Sequence, residues 1–426
     1  MEIKPVESLG GQGFTGLFCL SSGGCQRIKR DARNDGMAPY LLLLLFVTAS
    51  GFLFCELRRS RRSDLIFLLV TCTVMFAMSS LRGITVGVDN KLYYLPYFER
   101  MVGSDISFLW SAENVYRSEP GYSLLVYLIS RVSDSPTVFF AVQAALAIGL
   151  TAALAWFYSS SVWICIFTFV SFGFFGYTMV TLRQQLAICI VLLAMPWLQK
   201  KRPLPYFLIV ALAATIHKSL WILVPLYVLA WIPFNWKSVS AYVAGTVVML
   251  IFTDPILDFV TKFIYKIYTA DNYYRAVGRD IQTAVVPMLL FLAVLLLHKR
   301  LLRRNPGNLP LMNFSAYACF LFLLTLKSFV FQRLALIFLP VAVLLLPEIL
   351  NASGPMPDKL AELERLKAEG RGRKPSPKYT QLKGQLRDEM TLYYSAMGFI
   401  LFIGWLYYLF LVVGNRLLLV PYTTIF

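Results

Sequence analysis

Apolar stretches recur along the chain with polar breaks between them. They cover 38–55, 64–81, 137–157, 162–179, 183–198, 204–217, 219–234, 239–255, 283–298, 311–327, 332–350 and 392–414. Most approach the length a helix needs to cross a hydrocarbon core about 30 Å thick. The run Leu41-Leu42-Leu43-Leu44-Leu45-Phe46-Val47 has no two-residue alternation, so the pattern is helical and unlike that of a membrane β-barrel. It predicts an all-α polytopic membrane protein with about twelve transmembrane helices. Residues 204–234 read as two short spans broken at His217-Lys218.

The segment 120–133 is apolar but short, and its parity decides the topology. If it does not cross, every basic cluster falls on one side: 58–62, 200–202, 299–304 and the charged loop 351–391. That side is then the cytoplasm, because cytoplasmic loops collect Lys and Arg. The segment is therefore expected to be re-entrant or interfacial, closing an external loop region 82–133. Within 351–391, Asp358 to Ala368 reads as a short charged helix. Gly370 to Pro377 breaks it, and the loop is expected to sit near anionic lipid heads.

Composition agrees: 58% of residues are hydrophobic and only 15% charged, against roughly 25% charged in soluble domains. The net charge of +17 is explained by the cytoplasmic loops, so no nucleic-acid partner is inferred. Seven cysteines without a CxxC pair and only two histidines give no pattern for a disulfide, a zinc site or another metal centre. Residues 1–36 are polar and basic without a signal-peptide core. They read as a disordered tail or a mis-annotated start ahead of Met37, with 37–426 as a single transmembrane domain.

With this topology the notable polar residues gather on the non-cytoplasmic side. These are Arg82, Asp89, Glu99, Glu113 and Glu119 in the 82–119 loop, Arg183 and Gln184 at a span start, and His217-Lys218 at the break. Arg275 in loop 256–282, Arg333 between two spans and Tyr422 in the tail join them. Arginine forks suit phosphate or pyrophosphate, but a cation near a span end also snorkels at little cost. Each acid is equally a candidate cap or arginine partner, and Asp89 is placed to cap a helix beginning near Asn90. The loop tyrosines suit sugar faces or the membrane interface.

Together these residues resemble the EpsG family of polysaccharide-polymerising membrane proteins, functional relatives of the Wzy O-antigen polymerases. The resemblance rests on Arg82-Gly83, Val86-Gly87, Asp89 and Tyr93, then Glu119-Pro120-Gly121-Tyr122, Arg183-Gln184 with Ala187, Ile216-His217 with Ser219, and Pro421-Tyr422. It implies a bundle like the C-type glycosyltransferases (GT-C) in the bacterial inner membrane, with its site on the external side. The implied substrates are undecaprenyl-pyrophosphate-linked oligosaccharides, polymerised without a cofactor. A chain-length regulator and a flippase of the same pathway are the implied partners, besides membrane lipids.

Chemically, a base must take the acceptor hydroxyl proton and cations must hold the leaving pyrophosphate. Asp89 is the first candidate base, with Glu119 and His217 as alternatives. Arg82, Arg183 and Arg333, helped by Lys218 or Arg275, are the candidate pyrophosphate ligands. Tyr93, Tyr122, Gln184 and Tyr422 complete the candidate substrate contacts. A flippase of lipid-linked oligosaccharide and a glycan ligase are the rival readings.

Overall fold

The computed structural model describes residues 36–255, 258, 281–328, 330–369 and 376–425. In chain order the helices are α1 (Ala38–Gly51), α2 (Arg61–Ser80), α3 (Leu95–Val102), α4 (Pro120–Val132), α5 (Pro136–Tyr158), α6 (Val162–Ser171) and α7 (Phe174–Val180). Then come α8 (Leu182–Leu192), α9 (Met195–Gln199), α10 (Pro203–Ile216), α11 (Leu223–Leu229), α12 (Trp236–Ile251) and α13 (Gln282–Arg304). The series ends with α14 (Leu309–Leu324), α15 (Val330–Phe338), α16 (Ala342–Ser353), α17 (Pro357–Glu369) and α18 (Pro377–Val413). Short π and 3-10 turns link several of these.

Among the described residues, 8 helices are long and apolar enough to cross a membrane, or 9 if the bent pair α6–α7 counts as one span. The chain is a polytopic helical membrane protein. The other three predicted spans exist as helices but are shorter, Pro203–Ile216, Lys218–Leu229 and Trp236–Ile251. Eight or nine of the twelve expected spans thus have full length, and the two expected to be short, 204–217 and 219–234, are short, as is 239–255. The helix 120–132 has 13 residues and rises only about 20 Å. The expected loop 351–391 also changes: α17 lies where the charged helix was expected, but 377–391 forms the first turns of the 37-residue α18.

The core is built around α6. All ten of its residues are buried, as befits a helix that is apolar all round. It packs against α1, α16 and α18. Outer helices expose apolar side chains such as Leu42, Leu69, Leu296 and Phe402, the surface a lipid-facing bundle presents.

The two ends of the bundle differ. At one end basic residues bond to neighbouring segments: Arg59 donates to the Tyr394 hydroxyl at 3.1 Å, Arg61 to the Trp156 carbonyl at 2.8 Å, and Arg304 to Asn351 Oδ1 at 2.7 Å. Lys201 sits over Trp231, 4.5 Å from the ring centroid. From this end α10 and the following helical turns form a hairpin, pinned by Tyr206 donating to the Leu223 carbonyl at 2.9 Å. The hairpin tip, His217-Lys218, carries the predicted polar residues of the opposite end.

Candidate functional site

The segment before α3 places Asp89. Gly87 adopts φ +90°, and a Cβ there would lie 2.8 Å from the Met179 carbonyl, so glycine is required by conformation and by space. Asn90, fully buried, donates to the Val86 carbonyl at 2.6 Å and the Met179 carbonyl at 2.8 Å. These bonds tie the segment to the end of α7, just ahead of Arg183. A π turn over Asn90–Tyr94 follows, a feature frequent at functional sites. Asp89 occupies the cap position expected of it, but its side chain makes no cap hydrogen bond.

Glu119 is the hub. Its carboxylate, 3% exposed, pairs with Arg183 and accepts the Lys218 backbone N–H at 3.1 Å. His217 Nδ1 stands 3.2 Å from the same carboxylate, close enough for an ion pair but without hydrogen-bond direction. Proline at the first turn of α4 starts that helix directly after Glu119. Gly121 lets α4 approach α10, since a Cβ would collide with the Thr215 side chain. The motif Glu119-Pro120-Gly121-Tyr122 is thus an acid, a helix start, a close approach and a buried ring in sequence.

Arg183 is enclosed by tyrosines. Its guanidinium lies 4.0 Å from the Tyr116 ring centroid and 5.8 Å from that of Tyr122, a cation–π arrangement. Tyr116 and Tyr122 meet edge to face at 5.5 Å. Behind them the Tyr97 hydroxyl donates to Asn114 Oδ1 at 3.0 Å and lies 3.0 Å from Ser123 Oγ. Gln184 donates to the Arg333 carbonyl at 3.2 Å, so the start of α8 holds α15 beside it.

The two acids are tuned in opposite directions. Burial raises the Asp89 pKa, and Arg333 and Arg183 oppose this only in part, so it ends above the usual carboxylate value. Burial also pushes Glu119 upward, but His217, Arg183 and the Lys218 N–H outweigh it, so Glu119 ends below its ordinary value. Glu119, one of the candidate bases, is thus engaged by Arg183 and the Lys218 N–H, with His217 beside it. Asp89 keeps an uncommitted proton affinity beside two arginines.

Arg82 does not join this cluster as an open ligand. It is fully buried, packed 4.1 Å from the Phe140 ring centroid and donating to the carbonyl and hydroxyl of Ser79. Its Nε and Nη2 have no hydrogen-bond partner. The C-terminal strand of chain closes over it: Arg82 bridges Thr424, Gly83 donates to the Thr423 carbonyl at 2.7 Å, and Ile425 donates to the Leu81 carbonyl at 3.1 Å. Tyr422 donates to the Met78 carbonyl at 2.8 Å and meets Tyr40 edge to face at 5.6 Å. Burial pulls the Arg82 pKa down to about 9, against a smaller upward pull from Tyr40 and Tyr422, and the group stays cationic at neutral pH. Arg82 and Tyr422 thus tie the entry segment to the C-terminal residues, and Arg82, expected as a pyrophosphate ligand, is buried here.

Of the other candidates, Tyr122, expected as a substrate contact, is fully buried beside Arg183. Tyr93 is exposed, Lys218 and Arg333 are exposed beside the hub, and Arg275 lies outside the described residues. Sequence reasoning missed Asn90, Tyr94, Tyr97 and Asn114 as scaffold. The only signal for them was their place among the aromatic residues of one polar loop. Among the described residues no cluster of His, Cys, Asp and Glu could hold a metal ion.

The EpsG family model matches residues 65–354, about two-thirds of the chain, from α2 through α16. The chain belongs to the EpsG family. That match takes in Asp89, Glu119, Arg183, His217 and Arg333, whereas the strap with Tyr422 lies beyond it. No curated protein and no solved structure matches the chain.

Proposed function

We propose that this EpsG-family protein polymerises lipid-linked oligosaccharide repeat units, with undecaprenyl pyrophosphate as carrier, at the outer face of the bacterial inner membrane. The observation that carries the reading is the convergence of Glu119, Arg183 and His217 with Asp89 and Arg333, away from the basic end of the bundle. On the positive-inside rule the basic end is cytoplasmic, which leaves the cluster outside. The short helices α10 to α12 complete a twelve-helix arrangement in this reading, of the C-type glycosyltransferase kind.

In the proposed reaction the acceptor sugar hydroxyl attacks the donor's anomeric carbon. The new glycosidic C–O bond forms as the bond from that carbon to the pyrophosphate oxygen breaks. Asp89 takes the hydroxyl proton, and its raised pKa suits a base working near neutral pH. The leaving pyrophosphate carries the bonding electrons, and Arg183, Arg333 and Lys218 stabilise its growing charge. Glu119 holds Arg183, and through the hairpin tip Lys218, in position; holding reactants in line is worth about 7–11 kcal/mol in well-oriented systems. A single displacement inverts the anomeric centre.

The test is chain length in cells that depend on this protein. Asp89→Asn and Arg333→Ala, at normal protein level, are expected to leave single repeat units where wild type makes long chains. Normal chain lengths in both variants would overturn the assignment. Repeat units stalled on the cytoplasmic side would point to a flippase.

A further inference from the structure

The turn that follows Asp89 is wider than an α-helical one. Over Asn90–Tyr94 the chain makes a π turn, and the Leu95 N–H closes it on the Asn90 carbonyl. Pro96 follows in the first turn of α3 and has no N–H with which to close an α-helical bond. In an α-helix residues four apart share a face. A π turn bonds residues five apart and so brings those over one another. The register therefore sets Asp89 over Tyr94 and turns Tyr93 aside. Burial agrees, with Tyr93 59% exposed and Tyr94 only 5%.

Tyr94 reaches into the cluster around Glu119. Its ring meets Tyr122 edge to face at 6.2 Å, and Tyr122 in turn lies 5.8 Å from the Arg183 guanidinium. Burial raises the Tyr94 pKa to about 12; the Arg183 guanidinium works against this by its charge and by hydrogen bonding, and the Asp89 carboxylate adds to it. Tyr94 is therefore a neutral phenol, whose oxygen can accept from a guanidinium N–H. The other groups that face this pair are Arg333 of α15, Tyr93 of the same turn, and Tyr116 ahead of α4, which senses Arg183, Glu119 and Asp89 together. Arg183 thus stands between two acids. It pairs with Glu119, while Asp89 feels it as a charge without a hydrogen bond.

We propose that Tyr94 is a positioning residue: its hydroxyl holds one side of the Arg183 guanidinium, keeping that cation on Glu119 and away from Asp89. An arginine that closed on Asp89 would fix its carboxyl as an anion of low proton affinity, unfit to take a proton near neutral pH. One phenol keeps the base and the cation side by side without letting them neutralise each other. The π turn makes this possible, since an α-helical turn would offer the exposed Tyr93 instead. The consequence for turnover rests on the polymerase reading given above.

The experiment titrates Asp89 by infrared spectroscopy of the full chain in lipid nanodiscs, its carboxyl band assigned by the loss of that band in Asp89→Asn. Tyr94→Phe keeps the ring and removes only the hydroxyl. It is expected to lower the Asp89 pKa by about one unit as Arg183 closes on the carboxylate, with melting near wild type. Tyr93→Phe is expected to leave the Asp89 titration in place. In polymerisation of a defined lipid-linked unit, Tyr94→Phe should lower kcat about threefold to tenfold and move the acid limb of the pH profile downward, with little change in KM. An Asp89 titration that is unchanged or raised in Tyr94→Phe, or lowered only in Tyr93→Phe, would overturn the role of Tyr94. A lowered titration with wild-type kcat and pH profile would keep that role and move the base away from Asp89. A lowered titration with no polymer made by wild type would keep it and overturn the polymerase reading.

Discussion

The two ends of this bundle use the same charged residues to different effect. At the basic end, pairs such as Arg303–Asp358 at 3.1 Å and Arg365–Glu369 at 2.8 Å are more than half exposed. Exposed pairs of this kind contribute about 0–1 kcal/mol each. At the other end a single carboxylate, Glu119, is 3% exposed and engages Arg183, His217 and the Lys218 N–H. Removing one partner from a buried arrangement typically costs about 3–5 kcal/mol, because the remaining charge is left uncompensated. The exposed pairs at the basic end are nearly dispensable, although Glu389 there is itself buried and engages Lys359 at 2.9 Å and the Met356 N–H at 3.2 Å; at the other end the buried carboxylate is Glu119, in the cluster proposed to carry the chemistry.

The sharpest break in this contrast is expected at Asp89. Asp89→Asn removes the proposed base without changing size, and should lower polymerisation of a defined lipid-linked unit about 100- to 10,000-fold. Its thermal melting should stay near wild type. Equal activity in the two proteins would move the base elsewhere.

Next comes Glu119→Ala, where stability itself is expected to fall by about 3–5 kcal/mol. A lowered melting temperature in detergent would register it. A variant with unchanged melting but lost activity would make Glu119 a reactant instead of a hub.

A pH series separates the acids by sign. Glu119, with its pKa below the ordinary value, contributes stability that is present above the unfolded carboxylate pKa and lost as pH falls through its folded value. Asp89, with its pKa above the ordinary value, contributes in the opposite sense, favouring the folded state at low pH and losing that as pH rises through the folded value. Melting of Glu119→Gln should therefore lose part of the acid-side decline seen in wild type, while Asp89→Asn should deepen it slightly. Identical profiles in all three proteins would dissolve the proposed difference between the acids. The smallest effect is expected at the basic end: Asp358→Asn should change stability by less than about 1 kcal/mol, and a larger loss would mean that end is not a solvated face.

Much of this was legible in the chain. Apolar run length located every helix used as a span, and the basic clusters 299–304 and 351–391 meet in space, as Arg304 with Asn351 and Arg303 with Asp358. Glu119 was an acid open to several roles; proximity to Arg183, 64 residues on, made it an arginine partner. Arg82 and Arg183 look alike in sequence, each a cation near a span end. One is sealed beneath Thr423, Thr424 and Tyr422, from more than 300 residues away, and the other stands in a tyrosine wall open toward Asp89.

What the sequence determined alone was local: which segments prefer lipid, where helices start and break, and which residues could carry charge chemistry. Hydropathy and capping act over a few neighbours, so they can be read from neighbours. Burial of a charge and the direction of a pKa shift depend on atoms brought from distant positions. Only the tertiary structure decided that Asp89 keeps its proton affinity, that Glu119 spends its own on Arg183 and the hairpin tip, and that Arg82 braces the site from beneath.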